Sequence, residues 1–114
     1  EREAGLASEA LLLKTLAVVD DLDRALVSLP EGLKSEPWAE GIAAIHRKLL
    51  VVMESEAARP YESIGLPFDP REHEAVAQVP SSGKPPGEVL QEHRKGWKIR
   101  DRILRPAVVS VAAD

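Results

Sequence analysis

The feature that most constrains the fold is a heptad pattern of apolar side chains in the first half of the chain. A 3-4 spacing of this kind is typical of helices that pack side by side. Its members are Leu12, Val19, Leu22, Leu26 and Leu29. Leu11, Val18 and Ala25 widen the stripe beyond a narrow coiled-coil seam, as helices of a bundle require. The pattern therefore predicts a long helix over residues 5–29.

A second stripe follows after the segment "SLPEGLKSEP". Pro30 ends the first helix, Ser35 can cap the second, and Pro37 suits its first turn. The apolar members, spaced 4, 3, 4 and 3 residues apart, are Trp38, Ile42, Ile45, Leu49 and Val52. The sequence predicts a second helix over residues 36–57.

A lone helical hairpin cannot bury both sides of stripes this wide. Two hairpins from two chains can do so in a four-helix bundle, which predicts a homodimer. The alternative is that the helices cover the second half of the same chain. The expected dimer contacts are Leu12, Val19, Leu22, Leu26, Leu29, Ile42, Ile45 and Leu49.

After residue 60 the apolar period changes to two. The runs "EAVAQV", "EVLQEHRKG" and "AVVSVA" are predicted strands, separated by "PFDPRE", "PSSGKPPG" and "RDRILRP". The predicted fold class is α+β: an N-terminal helical hairpin that forms a dimeric four-helix bundle, followed by a small all-β domain. The predicted domains are residues 1–58 and 59–114.

The absence of cysteine excludes disulfides and thiolate metal sites, and it is compatible with a reducing cytosol. The longest apolar runs are far too short to span a bilayer, and no signal-like segment opens the chain. We therefore expect a cytoplasmic protein without a membrane partner.

The sequence offers little that resembles a catalytic or metal site. It lacks the glycine-rich phosphate-binding motifs, and His46, His73 and His93 stand in different elements. His73-Glu74 begins like a zinc-protease helix, but Ala77 stands where the second histidine belongs. We expect the His73 ring to bond local backbone. The chain is predicted to be no enzyme and to need no metal or cofactor.

A basic cluster that begins within the second predicted strand and continues towards the third raises the alternative of nucleic-acid binding. It consists of His93, Arg94, Lys95, Lys98, Arg100, Arg102 and Arg105. Trp97 inside it could stack on bases. Glu88, Glu92 and Asp101 are interleaved, however, and the net charge is −4, so we expect no nucleic-acid partner. A strand edge guarded against aggregation explains the cluster equally well.

The stretches "FDPREHEAV" and "GWKIRDRILRPAVVSV" together resemble the signature of GrpE, the nucleotide exchange factor of DnaK-type heat-shock chaperones. "DDLDRAL" and "EGI" resemble the family's helical half. Two departures are Trp97, where Tyr or Phe is usual, and Ala57-Ala58, where Gly-Val is usual. The matching positions are Phe68, Asp69, Pro70, His73, Ala75, Val76, Gly96, Trp97, Asp101, Leu104, Arg105, Ala107, Val109 and Val111.

The resemblance implies a homodimeric co-chaperone of protein folding and the heat-shock stress response. Such a protein promotes ADP release by opening the nucleotide-binding cleft of a DnaK-type chaperone. The resemblance also implies partner contacts at Arg2, Arg24, Gly41, Phe68, Pro70, His93 and Val111. For several of these residues a structural role is the alternative: core packing for Phe68 and Val111, a solvated helix face for Arg24, and bundle packing for Gly41.

Overall fold

The computed structural model describes residues 2–113, with side chains from residue 8 onwards. The chain divides into two compact units between Ala57 and Ala58. We call residues 2–57 the helical unit and residues 58–113 the β unit. Two helices precede six strands, which confirms the predicted α+β layout.

The helical unit contains α1 (Arg2–Val27), a 3-10 turn (Glu31–Leu33) and α2 (Pro37–Ser55). Helix α1 ends two residues before the predicted end, because the Leu29 N–H bonds the Leu26 carbonyl three residues back. Pro37 opens α2 as predicted. The prediction that Ser35 caps α2 is wrong: the cap is Glu36, whose extended backbone fills that position without a side-chain hydrogen bond.

The two helices run antiparallel. Asp23 of α1 lies opposite His46 of α2, with 3.8 Å between the carboxylate and Nε2. Further towards the turn, Leu26 shares a cleft with Ala39 and Ala43. The buried apolar residues of the unit are Leu12, Leu16, Val19, Ala39 and Met53.

The β unit contains two three-stranded sheets. The first has the order β1-β4-β5 and is antiparallel throughout. The second has the order β2-β6-β3, in which β6 runs parallel to β2 and antiparallel to β3. The strands are β1 (Ala58–Tyr61), β2 (His73–Val79), β3 (Val89–Arg94), β4 (Gly96–Ile99), β5 (Arg102–Arg105) and β6 (Ala107–Ala112).

The strand predictions are partly wrong. The run "EVLQEHRKG" was predicted as one strand, but β3 ends at Arg94 and β4 begins at Gly96. The segment "RDRILRP", predicted as a separator, contains β5. Strand β1 has no counterpart in the prediction, since Pro60 argues against a central strand; β1 is an edge strand, where proline is tolerated.

The second sheet carries the core of the β unit. Four buried residues form this core, and the rings of Tyr61 and Phe68 pack against it. The four are Val89, Ala107, Val109 and Val111. Three of them lie on β6, so the central strand of the sheet also supplies most of the apolar contacts.

Candidate functional site

The turn between Phe68 and His73 is held by a dense set of local bonds. The Asp69 carboxylate accepts the Arg71 backbone N–H at 2.9 Å and two guanidinium N–H groups at 3.2 Å. These bonds to Arg71 hold the pKa of Asp69 below its usual value. Pro70 lies exposed between these two residues. The turn is therefore stiff and presents its proline to solvent.

His73 closes this turn from within. Its ring is 3% exposed, and Nδ1 accepts the Asp69 backbone N–H at 3.0 Å. The His73 N–H in turn donates to the Asp69 carbonyl at 2.8 Å. The Phe68 and Tyr61 rings lie 5.9 and 6.5 Å from it, measured between centroids. The prediction that this ring bonds local backbone is confirmed.

Tyr61 joins three parts of the β unit. Its hydroxyl donates to the Glu72 carbonyl and accepts the Ala107 N–H at 3.2 Å. Burial raises the pKa of this phenol. Tyr61 was not among the predicted site residues because it lies outside the FDPREHEAV motif. A sequence signal that could have indicated its role is that Tyr61 is the chain's single tyrosine. A tyrosine that packs against an apolar core needs hydrogen-bond partners for its hydroxyl.

The four partner-contact candidates of the β unit fall in different environments. Pro70 is exposed, and Phe68 is half-buried against the core. His93 is exposed, with Nε2 2.6 Å from the Ser110 hydroxyl. Val111 is 6% exposed and belongs to the core, so its side chain supports the surface from beneath instead of facing a partner.

On the helical unit, Arg24 is exposed and paired with Asp21. Gly41 is also exposed, and a Cβ added there would meet nothing within 4 Å. None of this chain's described residues therefore packs against the open side of Gly41. Arg2 begins α1, but its side chain lies outside the described part of the structure.

Both helices carry an exposed apolar row with heptad spacing. The rows are Leu11, Val18 and Ala25 on α1, and Trp38, Ile45 and Val52 on α2. The five larger side chains are 49% to 64% exposed. Gly41 falls within the α2 row, between Trp38 and Ile45. We call these six residues and Gly41 the apolar face.

The two rows lie on one side of the hairpin. Viewed along each helix from its N-terminus, the exposed row is rotated in the same direction away from the residues buried between the helices. Because the two helices run in opposite directions, equal rotations bring both rows to the same side of the hairpin. Of the expected dimer contacts, Leu12 and Val19 are buried within the chain and Ile45 is exposed on this face. The half-buried ones are Leu22, Leu26, Leu29, Ile42 and Leu49.

Part of the basic cluster is engaged within the β unit. Lys95 lies 3.5 Å from Glu92, and Lys98 lies 3.3 Å from Glu72. Trp97 is 2% exposed, so the idea that it stacks on nucleic-acid bases is wrong. The Arg105 side chain is buried and donates to the Lys95 carbonyl at 2.9 Å.

A second turn, missed by the sequence analysis, directly precedes Pro67. The Leu66 N–H bonds the Ser63 carbonyl at 3.1 Å, and Gly65 has φ +88°. A positive φ at the third residue of a tight turn favours glycine. Ile64 and Leu66 on either side are 58% and 45% exposed. The sequence signal was a glycine between two large apolar residues just ahead of the motif.

Among the side chains that the structure describes, from residue 8 to residue 113, no three His, Cys, Asp or Glu are grouped as metal ligands. None of the described helices has the length and apolar character needed to cross a bilayer.

Comparison with known proteins gives a consistent result. The family model described as GrpE matches residues 2–113. "Protein GrpE" of Geobacillus thermodenitrificans is 37% identical over 105 residues, covering 92% of this chain and 48% of the relative. The namesake from Stenotrophomonas maltophilia (strain R551-3) is 39% identical over 114 residues, covering 100% and 66%. That from Novosphingobium aromaticivorans is 40% identical over 101 residues, covering 85% and 54%. The chain spans about half the length of the first of these relatives.

Proposed function

The chain belongs to the GrpE family, and from this premise we propose that it is a co-chaperone that promotes ADP release from a DnaK-type chaperone. It acts as a nucleotide exchange factor that opens the partner's nucleotide-binding cleft, in the cytoplasm. It catalyses no covalent step. The observation that carries the proposal is the match to the family model across both units.

The mechanism follows from thermodynamic linkage. A factor that binds the open, nucleotide-poor state of its partner more tightly than the closed state lowers the partner's affinity for nucleotide by the same coupling free energy. A factor without this preference shifts nothing, however tightly it binds. The required properties are a complementary surface and stiff positioning of that surface.

The turn from Phe68 to His73 meets the requirement for stiffness. The Asp69 carboxylate accepts hydrogen bonds from both the backbone N–H and the guanidinium of Arg71. On the buried side of the turn, the His73 ring accepts a hydrogen bond from the Asp69 N–H. Pro70 is thereby held in solvent with little freedom to lose on binding, which favours affinity. We propose that Pro70 and His93 contact the chaperone, with Phe68 and Val111 supporting them from the core.

On the helical unit we propose Arg24 and Gly41 as further contacts, with Arg2 adding a charge from α1. Arg24 is exposed, and its ion pair with Asp21 is a surface pair that costs little to exchange for another partner. Gly41 offers open space next to its backbone.

We further propose that two chains associate through the apolar face. Its five larger side chains are 49% to 64% exposed, and a contiguous exposed apolar patch of this kind marks an interaction site. A standard interface buries about 800 Å² per partner, so the polar residues that border the face would have to contribute to a stable dimer. A homodimeric four-helix bundle follows if the two faces pack together.

The test is release of a fluorescent ADP analogue from a cognate DnaK-type chaperone in a stopped-flow instrument. We expect release to accelerate at sub-stoichiometric amounts of this protein, because one exchange factor serves many chaperones in turn. An unchanged rate of nucleotide release, with the fold and the dimer verified, would overturn the proposal for this chain.

A further inference from the structure

The turn Ser63–Leu66 holds two large apolar side chains in solvent on a stiff backbone. The Gly65 N–H donates to the Val89 carbonyl, and the Val89 N–H donates to the Leu66 carbonyl, both at 2.9 Å. Pro67 then bridges Glu88. The segment thus lies along the free edge of β3 and extends the second sheet beyond its named strands. Ile64 and Leu66 are not on a loose loop.

Two aliphatic side chains exposed on a turn contribute less to stability than they would if they were buried. A large aliphatic side chain left partly in water forgoes the stabilisation that burial of its apolar surface would give. Turn positions of this kind are ordinarily filled by small or polar residues. Two neighbouring exposed aliphatic residues on a stiff turn are typical of a contact surface.

The charges next to this turn indicate what kind of surface it fits. Glu62 precedes the turn, and Glu88 lies opposite Pro67 across the bridge. Neither carboxylate forms an ion pair with any of the side chains the structure describes. An apolar centre with an acidic border is complementary to a partner surface that has an apolar centre and a border of lysine or arginine.

The turn is also continuous with the stiff segment already described. Pro67 alone separates Leu66 from Phe68, and the Phe68 N–H bonds the Gly87 carbonyl at 2.9 Å. The start of that segment is therefore fastened to the same edge of the second sheet as the turn Ser63–Leu66, whereas its end at His73 begins β2 at the opposite edge. Ile64 and Leu66 lie within six residues of Pro70 along the chain, so a partner that contacts Pro70 is close to them.

We propose that Ile64 and Leu66 are anchor residues for the chaperone, seated against an apolar patch bordered by cationic side chains, with Glu62 and Glu88 facing those cations. This inference rests on the proposed function and adds a contact that the motif residues do not include. Phe68 and Val111 shape the core beneath, whereas these two side chains make the contact.

The test removes exposed aliphatic side chains at two places in the β unit. The double variant Ile64→Ser/Leu66→Ser removes both anchors, and Val76→Ser removes the similarly exposed Val76 from β2, at the opposite edge of the second sheet. We expect the double variant to raise the chaperone Kd about tenfold or more and to slow stimulated nucleotide release accordingly. Val76→Ser should leave both unchanged. Circular dichroism and thermal unfolding verify that each variant is folded.

A second pair of variants tests the acidic border. Glu62→Gln/Glu88→Gln should lower the association rate with the chaperone and flatten its dependence on salt, because rim charges act mainly on association. Equal affinity and equal salt dependence for all variants would overturn the proposal. The same result from Val76→Ser as from the double variant would also overturn it, since the loss would then not be specific to this turn.

Failure of the inference and failure of the proposed function are distinguishable. If the unmodified protein does not accelerate nucleotide release, the proposed function fails and the inference fails with it. If the unmodified protein is active and the double variant is equally active, the function stands and the two residues are no anchors.

Discussion

The Tyr61 side chain lies so close over Gly96 that a Cβ on the glycine would come within less than 3.0 Å of two ring atoms and of the hydroxyl oxygen. The two residues are direct partners in the β1–β4 ladder. The same phenol reaches on to Glu72 and to Ala107 of β6. Because Gly96 has no side chain, the Tyr61 ring can lie across the first sheet. Its hydroxyl can then bond backbone groups at the ends of strands in the second sheet.

Replacing Gly96 by alanine tests this arrangement. We expect Gly96→Ala to reduce the free energy of unfolding by about 1–3 kcal/mol, because the methyl group displaces the Tyr61 ring from its bonds. Urea unfolding followed by circular dichroism measures the change. Gly32→Ala is the control, since a Cβ there meets nothing within 4 Å. Equal stability of the Gly96 variant and the unmodified protein would contradict the argument.

The Tyr61 hydroxyl should make stability depend on pH at the alkaline end. Burial raises the pKa of Tyr61 above its usual value of 10.0, so the folded state holds the proton more tightly than the unfolded state. The contribution is therefore complete below pH 10 and is lost as pH rises through the folded-state pKa. Urea midpoints measured from pH 8 to 11 should fall more steeply for the unmodified protein than for Tyr61→Phe.

The same Tyr61→Phe variant should also be less stable at neutral pH. It removes the hydroxyl's bonds to the Glu72 carbonyl and the Ala107 N–H, which remain bonded to each other at 3.0 Å, so we expect a loss of about 0.5–1.5 kcal/mol. A variant as stable as the unmodified protein, with an unchanged alkaline slope, would show that the hydroxyl is not buried in solution.

Ala57 offers a substitution that should stabilise the chain. It follows the last residues of α2 with φ +65°, a left-handed conformation that costs a residue with a Cβ about 1 kcal/mol or more. Ala57→Gly relieves this strain, and we expect an increase of roughly 0.5–1 kcal/mol in the free energy of unfolding. Ala44→Gly, inside α2, should lower it by about 1 kcal/mol. Thermal unfolding of both variants tests the sign of each effect.

The sequence predicted what depends on periodicity and missed what depends on long-range pairing. The heptad rows placed both helices to within three residues at each end, and alternation located β2 and β6. Strand β1 was missed because Pro60 masks a short edge strand whose only partner, β4, lies far along the chain. No local pattern indicates that Tyr61 meets Gly96 or that His73 is buried between two rings. Such contacts are set by how the sheets pair.

The apolar face predicts a position-specific effect on association. Ile45→Asp places a charge in the middle of the α2 row, where two chains are proposed to meet, and should raise the dimer dissociation constant at least about tenfold. Val51→Asp is the matched control: Val51 is 63% exposed on the same helix but lies outside the row. Sedimentation velocity over a range of concentrations measures both. Equal dissociation constants would exclude this face as the dimer interface.

Variants of Gly41 distinguish the two contacts proposed for α2, one with the chaperone and one with the second chain. Because a Cβ there meets nothing within 4 Å of its own chain, Gly41→Ala should stabilise the isolated helix by up to about 1 kcal/mol. Gly41→Asp adds a charge at the same open position and should weaken chaperone binding about tenfold or more. Binding titrations and sedimentation are measured on the same preparations. Normal chaperone affinity of Gly41→Asp with an intact dimer would refute a role for Gly41 in partner binding, whereas a lost dimer would assign the open space to the second chain.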